Sequence, residues 1–326
     1  MKLPRRQLLH LAVGATAALI LPRVARAQIY PARQITLVVP VAAGGGVDTA
    51  ARILSEKLQE KLKQAVIVEN RPGAGSMIGA NFVAKANPDG YTLLLMEPAA
   101  VLAKWMNKHA PYDVINDFTP LSLVATQPLV LFALPSLPVN DVKELIAYCK
   151  ANPRKLSVGT AGVGSPHHLA AAWLNTAAKI EITHVPYRGV APALGDLLGG
   201  QIPLIWALSV SVMPFVEQGK VKALGVSTER RFSMLPKVPT VAESGVPGFD
   251  VNFFYGVAAP AMVQSAVIER VEDAIREITE LPDVHARMAN LGMSIDFRGS
   301  NQFRDLIARE DKKYGAVIRE AGIQPN

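Results

Sequence analysis

The chain has 326 residues, half of them hydrophobic, a formal net charge of +7 and a single cysteine. That length and apolar content suffice for two domains with cores of their own, and a lone cysteine excludes an internal disulfide framework. The charge does not argue for a nucleic-acid partner: five of the seven net charges (Lys2, Arg5, Arg6, Arg23 and Arg26) fall within residues 1–27, which hold no acid, leaving +2 for the other 299 residues.

Those first residues read as a segment that is removed. A basic start, an apolar run from Leu8 to Leu21 and the small-residue end Ala25-Arg26-Ala27 form a secretory signal with cleavage after Ala27. The run is short for a bilayer span, which disfavours an uncleaved anchor. Arg5-Arg6-Gln7-Leu8-Leu9 also resembles a twin-arginine export motif, with Pro4 where that motif prefers a polar residue. No later stretch approaches 18 uninterrupted apolar residues, so a soluble mature chain is expected.

The next segment organises the rest. Gln34 to Val39 is an apolar, β-branched run of strand character, followed by Gly44-Gly45-Gly46 and then by apolar residues at Val47, Ala50, Ala51, Leu54, Leu58 and Leu62, which is helical spacing. Strand, glycine loop and helix start together make an anion site, because the first turn of a helix leaves N–H groups unpartnered and carries partial positive charge. Asp48 is placed to cap that helix or to fix the loop by accepting N–H bonds. A carboxylate so held has a lowered pKa, which suits ordering better than proton abstraction.

Ala65 to Glu69 reads as a second strand, Asn70-Arg-Pro-Gly-Ala-Gly-Ser76 as a turn, Met77 to Lys85 as a helix, Asn87-Pro-Asp-Gly90 as a turn and Tyr91 to Met96 as a third strand. This alternation predicts a mostly parallel sheet covered on both faces. A second block repeats it: a strand at Leu129–Leu134, a helix from Asn140 to Ala151 that carries Cys149, a strand at Leu156–Gly159, the loop Gly162-Val-Gly-Ser-Pro166 and a helix from Pro166 to Ala178 with proline at its first position. Strands follow at Ile182–Pro186, Ile202–Leu208 and Val221–Val226, with helices at Val190–Leu198 and Val212–Gln218 between them. Pro236 to Pro247 reads as surface connection. Helices at about Gln264–Glu280, Pro282–Leu291 and Asn301–Ala321 close the chain. Two glycine loops on two α/β blocks suggest two half-sites facing each other across a cleft, beyond the carboxyl ends of the strands.

Other chemistries find little support. Gly44-Gly45-Gly46-Val47-Asp48 lacks the third glycine of a dinucleotide fingerprint, Gly73-x-Gly75-x-x-x-Gly79 is one residue too long for it, and neither a phosphate loop nor a nucleophile elbow is present. No cofactor is expected. Ser165 with His167 and His168 hints at a nucleophile and base, but adjacent histidines point about 100° apart on a helix, so at most one can face the serine. The same spacing argues against a metal site. His184, Tyr187 and Arg188 form a polar cluster after a strand, either interdomain hydrogen bonders or ligand contacts.

In order, Tyr30-Pro31, Pro40-Val-Ala-Ala-Gly-Gly-Gly-Val-Asp48, Val68-Glu-Asn-Arg-Pro-Gly-Ala-Gly75, Ala84 to Leu93, Gly159-Thr-Ala-Gly-Val-Gly-Ser165, His184-Val-Pro-Tyr-Arg-Gly189, Leu197-Leu-Gly-Gly-Gln201 and Pro239-Thr-Val-Ala-Glu-Ser-Gly245 resemble the substrate-binding components of tripartite tricarboxylate transporters. The resemblance implies a periplasmic α/β protein of two-domain, type II-like periplasmic-binding-protein architecture with two crossing hinge strands. Residues 28–124 and 226–326 would form domain 1 and residues 125–225 domain 2. It implies a small organic carboxylate as ligand, held by backbone amides of the two loops, and a two-subunit integral membrane permease as partner of a monomeric receptor. Carried over residue by residue, the first loop offers Ala43, Gly44, Gly45, Gly46, Val47 and Asp48, and the second offers Thr160, Ala161, Gly162, Gly164 and Ser165, with His168 beside it. Gly75 borders the cleft.

The chain departs from the family's pattern at Met96-Glu97-Pro98-Ala99, at Trp206 and at Met262-Val-Gln264. If Glu97 and Trp206 line the pocket, a second ligand carboxylate is repelled and an apolar or aromatic body favoured; otherwise Glu97 points to solvent and Trp206 packs in the core. A hydrolase built on Ser165 and His168, and an orphan receptor serving a sensor, are the alternative readings.

Overall fold

The computed structural model describes residues 30–325, so the expected signal segment and its expected cleavage after Ala27 lie outside the described residues. The first lobe opens with β1 (Ile35–Val39), α1 (Gly46–Leu62), β2 (Val66–Asn70), α2 (Met77–Ala84), β3 (Thr92–Met96) and α3 (Pro98–Met106). Strands β1, β2 and β3 pair in parallel, with Val38 opposite both Glu69 and Leu94. Helix α1 buries Val47, Ala50, Ala51, Leu54, Leu58 and Leu62, and it stops at Lys63, whose left-handed backbone returns its N–H to the Gln59 carbonyl. The three- and four-residue spacing of those apolar positions aligns them on one stripe, which is why this segment coils and lies on the sheet.

The chain then runs through β4 (Phe118–Ala133), sixteen residues that belong to two sheets at once. Up to Pro128, β4 lies antiparallel to β9 (Asn252–Pro260) and also pairs with β10 (Ser294–Gly299); from Leu129 onward its partners are β7 (Leu204–Leu208) and β8 (Lys222–Val226). The second lobe completes its sheet with β5 (Ser157–Thr160) and β6 (Thr183–Pro186), parallel to each other, and the strand order across the molecule is β2-β1-β3-β9-β4-β7-β5-β6. Helices α4 (Val142–Ala151), α5 (Pro166–Ala178), α6 (Val190–Leu198) and α7 (Met213–Glu217) belong to the second block. Helices α8 (Ser265–Thr279), α9 (Pro282–Asn290) and α10 (Ser300–Glu320) return to the first. The fold is thus the two-lobed α/β architecture, with β4 and β9 running from one lobe toward the other. Among the described residues no helix is long and apolar enough to cross a membrane.

Several elements differ from the sequence expectation. Helix α3 and strands β9 and β10 were not anticipated, and β4 begins eleven residues before the strand expected at Leu129. Strand β9 is an unbroken apolar run whose periodicity separates neither strand from buried helix. What makes it a strand is its place between β3 and β4, where Gly256 lets the Phe303 ring lie within 2.2 Å of the position a Cβ would take. The passage from Pro236 to Pro247 is more than surface connection: Val241 and Val246 are buried with Phe249 and Val251 just beyond, and Val241 N–H bonds the Val226 carbonyl. Cys149 is buried on α4, and burial pushes its thiol up to about 11, so it is an inert packing residue.

Candidate functional site

The glycine loop lies at the carboxyl end of β1 and is fixed from behind by Asp48. The Asp48 carboxylate is 3% exposed and accepts three hydrogen bonds of 2.9 Å, from Gly44 N, Arg52 Nε and Asn70 Nδ2. Asn70 also donates to the Val41 carbonyl, which ties the loop to the end of β2. Burial raises the Asp48 pKa, but the bonds from Arg52, Gly44 and Asn70 outweigh it and leave the carboxyl below its ordinary value. Gly44 sits at φ +89, where a side chain is strained. Arg52, one turn on from Asp48, is the member sequence reading missed; its i,i+4 spacing was the available signal.

So anchored, the loop presents its amides outward. Ala43, Gly44 and Gly45 are exposed, and a Cβ added to Gly44 or Gly45 would meet nothing within 4 Å. The N–H groups of Gly46, Val47 and Asp48 open α1 and have no intrahelical acceptor, and Gly45 supplies no side-chain cap. Lobe 1 therefore offers three convergent donors at the positive end of a 17-residue helix.

The second loop, at the carboxyl end of β5, is more self-contained. Gly162 N donates to Thr160 Oγ1 at 3.3 Å, Gly164 N to His168 Nδ1 at 3.4 Å, and Ser165 N to the Gly162 carbonyl at 3.3 Å. The amides of Ala161 and Val163 make no hydrogen bond among the described residues. Thr160 is fully buried, and its Oγ1 lies 2.6 Å from His184 Nε2; the His184 ring stacks on His168 with centroids 4.1 Å apart. Burial, and then the neighbouring His184, pull the His168 pKa down to about 4, so this pair is neutral at pH 7. His184 thus belongs to the loop's own support. Tyr187 donates to Asp196 at 2.7 Å and Arg188 is exposed.

The Ser165 hydroxyl donates to the Gly162 carbonyl at 2.7 Å and accepts from His168 N at 3.2 Å. No histidine ring nitrogen bonds it among the described residues, so the serine is a helix cap without a base. His167 is buried, 5% exposed, and neither of its ring nitrogens has a hydrogen-bond partner among the described residues. Burial pulls its pKa down to about 4. No group of three His, Cys, Asp or Glu able to hold a metal occurs among the described residues.

Both loops lie on the seam between the lobes. A Cβ on Gly46 would stand 3.4 Å from Val210, in the short turn after β7, and a Cβ on Gly164 would stand 3.5 Å from Met106 at the end of α3. Each loop thus touches the opposite lobe, and Val210 and Met106 are neighbours that no sequence motif announced. A cavity of about 820 Å³ lies elsewhere, lined by Thr126, Asn252, Arg298 and Lys313 on β4, β9, β10 and α10. It contains none of the loop residues.

Two expected residues are placed differently. Trp206 is 1% exposed and packs in the core beside Phe249, with ring centroids 6.1 Å apart, because β7 is buried on both faces: Leu204 and Trp206 lie in one core cluster, Ile205 and Ala207 in another. The expectation that it offers an aromatic wall to the ligand is corrected. Glu97 points neither to solvent nor freely into the cleft. It is 2% exposed, caps α3 by accepting from Ala99 N at 2.9 Å, and accepts a 2.6 Å bond from the Ser76 hydroxyl. Burial raises its pKa. Gly75 is exposed in the turn before Ser76, at φ +61.

The chain matches the family model of the tripartite tricarboxylate transporter family receptor over residues 50–323. A protein encoded in the tcbD-tcbE intergenic region of a Pseudomonas species is 37% identical over 99% of this chain and 96% of its own length. Among solved structures, Rpa4515 of R. palustris with adipate is 32% identical, with a TM-score of 0.84, covering 91% of this chain and all of that one. MatC of Rhodopseudomonas palustris with bound malate is 32% identical, with a TM-score of 0.79, covering 89% of this chain and all of that one.

Proposed function

The chain belongs to the tripartite tricarboxylate transporter receptor family, whose members are periplasmic binding proteins and not enzymes, and from that premise we propose that its two lobes close on one small organic carboxylate. The loaded protein, a monomer, delivers that acid to a two-subunit integral membrane permease. Closure moves residues 28–124 with 226–326 against residues 125–225 about β4 and β9.

The observation that carries this reading is the uncapped start of α1, whose first three amides have no side-chain cap and whose Gly46 lies near Val210 of the second block; in this reading they face the second loop across the seam. Hydrogen bonds to a charged partner contribute about 1.5–3 kcal/mol each. Five of them, from Gly46, Val47 and Asp48 on one side and Ala161 and Val163 on the other, sum to about 7.5–15 kcal/mol, which reaches the ~8 kcal/mol of a micromolar site at the low end and leaves a margin for association and closure above it. The relatives solved with adipate and malate support a carboxylate as ligand class. The hydrolase alternative lacks a base on Ser165. A receptor that reports to a sensor would bind in the same way and differ only in its partner.

Calorimetry against pairs of carboxylic acids and their primary amides tests the proposal. An acid binds one per chain while its amide does not; equal binding of acid and amide would remove the anion site.

A further inference from the structure

Of the two helices that start beyond the carboxyl ends of the paired strands β1 and β3, α1 is open and α3 is closed from within. Glu97 stands three residues past Leu94, as Val41 stands three past Val38, and Val38 and Leu94 are opposite each other in the β1–β3 pair. The start of α3 and the glycine loop are therefore neighbours at one end of the sheet. At α3, however, no donor is left for a guest: Pro98 has no N–H, the Ala99 amide is bound to Glu97 Oε2 and the Ala100 amide to the Glu97 carbonyl at 3.0 Å. The second Glu97 oxygen is held by Ser76, which reaches it from the β2–α2 turn with its own backbone at φ +72, a region that a non-glycine residue rarely adopts. A side-chain carboxyl thus fills an anion position on lobe 1 right beside the open one, and the strained turn of a neighbouring loop holds it there.

We infer that Glu97 is a specificity residue: its carboxyl occupies the place that a ligand's second carboxylate would take on α3, so the receptor selects acids with one carboxylate over the matching diacids. This rests on the carboxylate-receptor reading of the same cleft. Exclusion works by occupancy more than by repulsion, since burial favours the neutral form of Glu97. A diacid would have to leave its far carboxylate without the amide that Glu97 holds, an unpaired buried charge.

The test is calorimetry on the mature protein with two pairs of acids that differ by one carboxylate, hexanoate against adipate and benzoate against terephthalate. The wild type binds the monoacid of at least one pair, and at least tenfold tighter than its diacid. E97A frees the Ala99 amide and the volume beyond Cβ, and the diacid of that pair gains at least tenfold relative to its monoacid. E97Q, whose amide oxygen still accepts from Ala99, keeps the wild-type ranking, and thermal denaturation of both variants establishes that they fold. A wild type that binds either diacid as tightly as its monoacid overturns the inference while leaving the receptor reading intact, and this result needs no variant. An E97A ratio equal to the wild type also overturns it. Failure of all four acids to bind removes the carboxylate reading itself, and the inference with it.

Discussion

Replacing Asp48 by alanine tests whether the anion loop is shaped by one buried carboxylate. The substitution removes acceptors for the Gly44 amide and the Asn70 side chain, each a 2.9 Å bond to a charged group and worth about 1.5–3 kcal/mol. The Arg52 pair adds less, about 1 kcal/mol at most, because the Arg52 side chain is 54% exposed. Asn70 keeps its separate bond to Val41, and the lost terms sum to about 3–7 kcal/mol. In a chain of this size that corresponds to a fall in melting temperature of roughly 6 °C or more. The loop's amides then lose their common direction, and affinity for the bound acid drops at least tenfold, about 1.4 kcal/mol. Thermal denaturation and calorimetry on D48A and R52A measure both effects, with R52A expected to lose far less. A D48A protein that melts within 2 °C of the wild type and binds its acid unchanged would refute the account of how this loop is held.

Two further outcomes follow from the second lobe. S165A removes the cap on His168 N and the bond to Gly162, a stability loss of about 1 kcal/mol, while acid binding stays within tenfold; a larger loss of affinity would place the hydroxyl on the ligand. His167 is buried neutral with its pKa near 4 against an ordinary 6.5, so below pH 6.5 the unfolded chain takes up a proton that the native state refuses. Stability therefore falls as pH drops from 6.5 toward 4, by up to about 3 kcal/mol from this residue. H167F should flatten that part of the pH profile of urea denaturation, and an unchanged slope would show that His167 carries none of it.

Sequence alone determined β1 and α1, because the stripe from Val47 to Leu62 and the β-branched run before it each carry a period that only one secondary structure satisfies. It also determined the chemistry of the first loop, since three glycines before a helix with aspartate in its first turn specify exposed amides whatever surrounds them. Tertiary structure decided what depends on neighbours distant in the chain. Whether β9 is a strand rests on β3 and β4, which flank it, and on Phe303, which needs Gly256. Burial of β7 on both faces put Trp206 in the core, and burial with Ser76 made Glu97 a cap. The seam between Gly46 and Val210 joins residues 164 positions apart, and a pattern read within a few turns of chain holds no information about such a meeting.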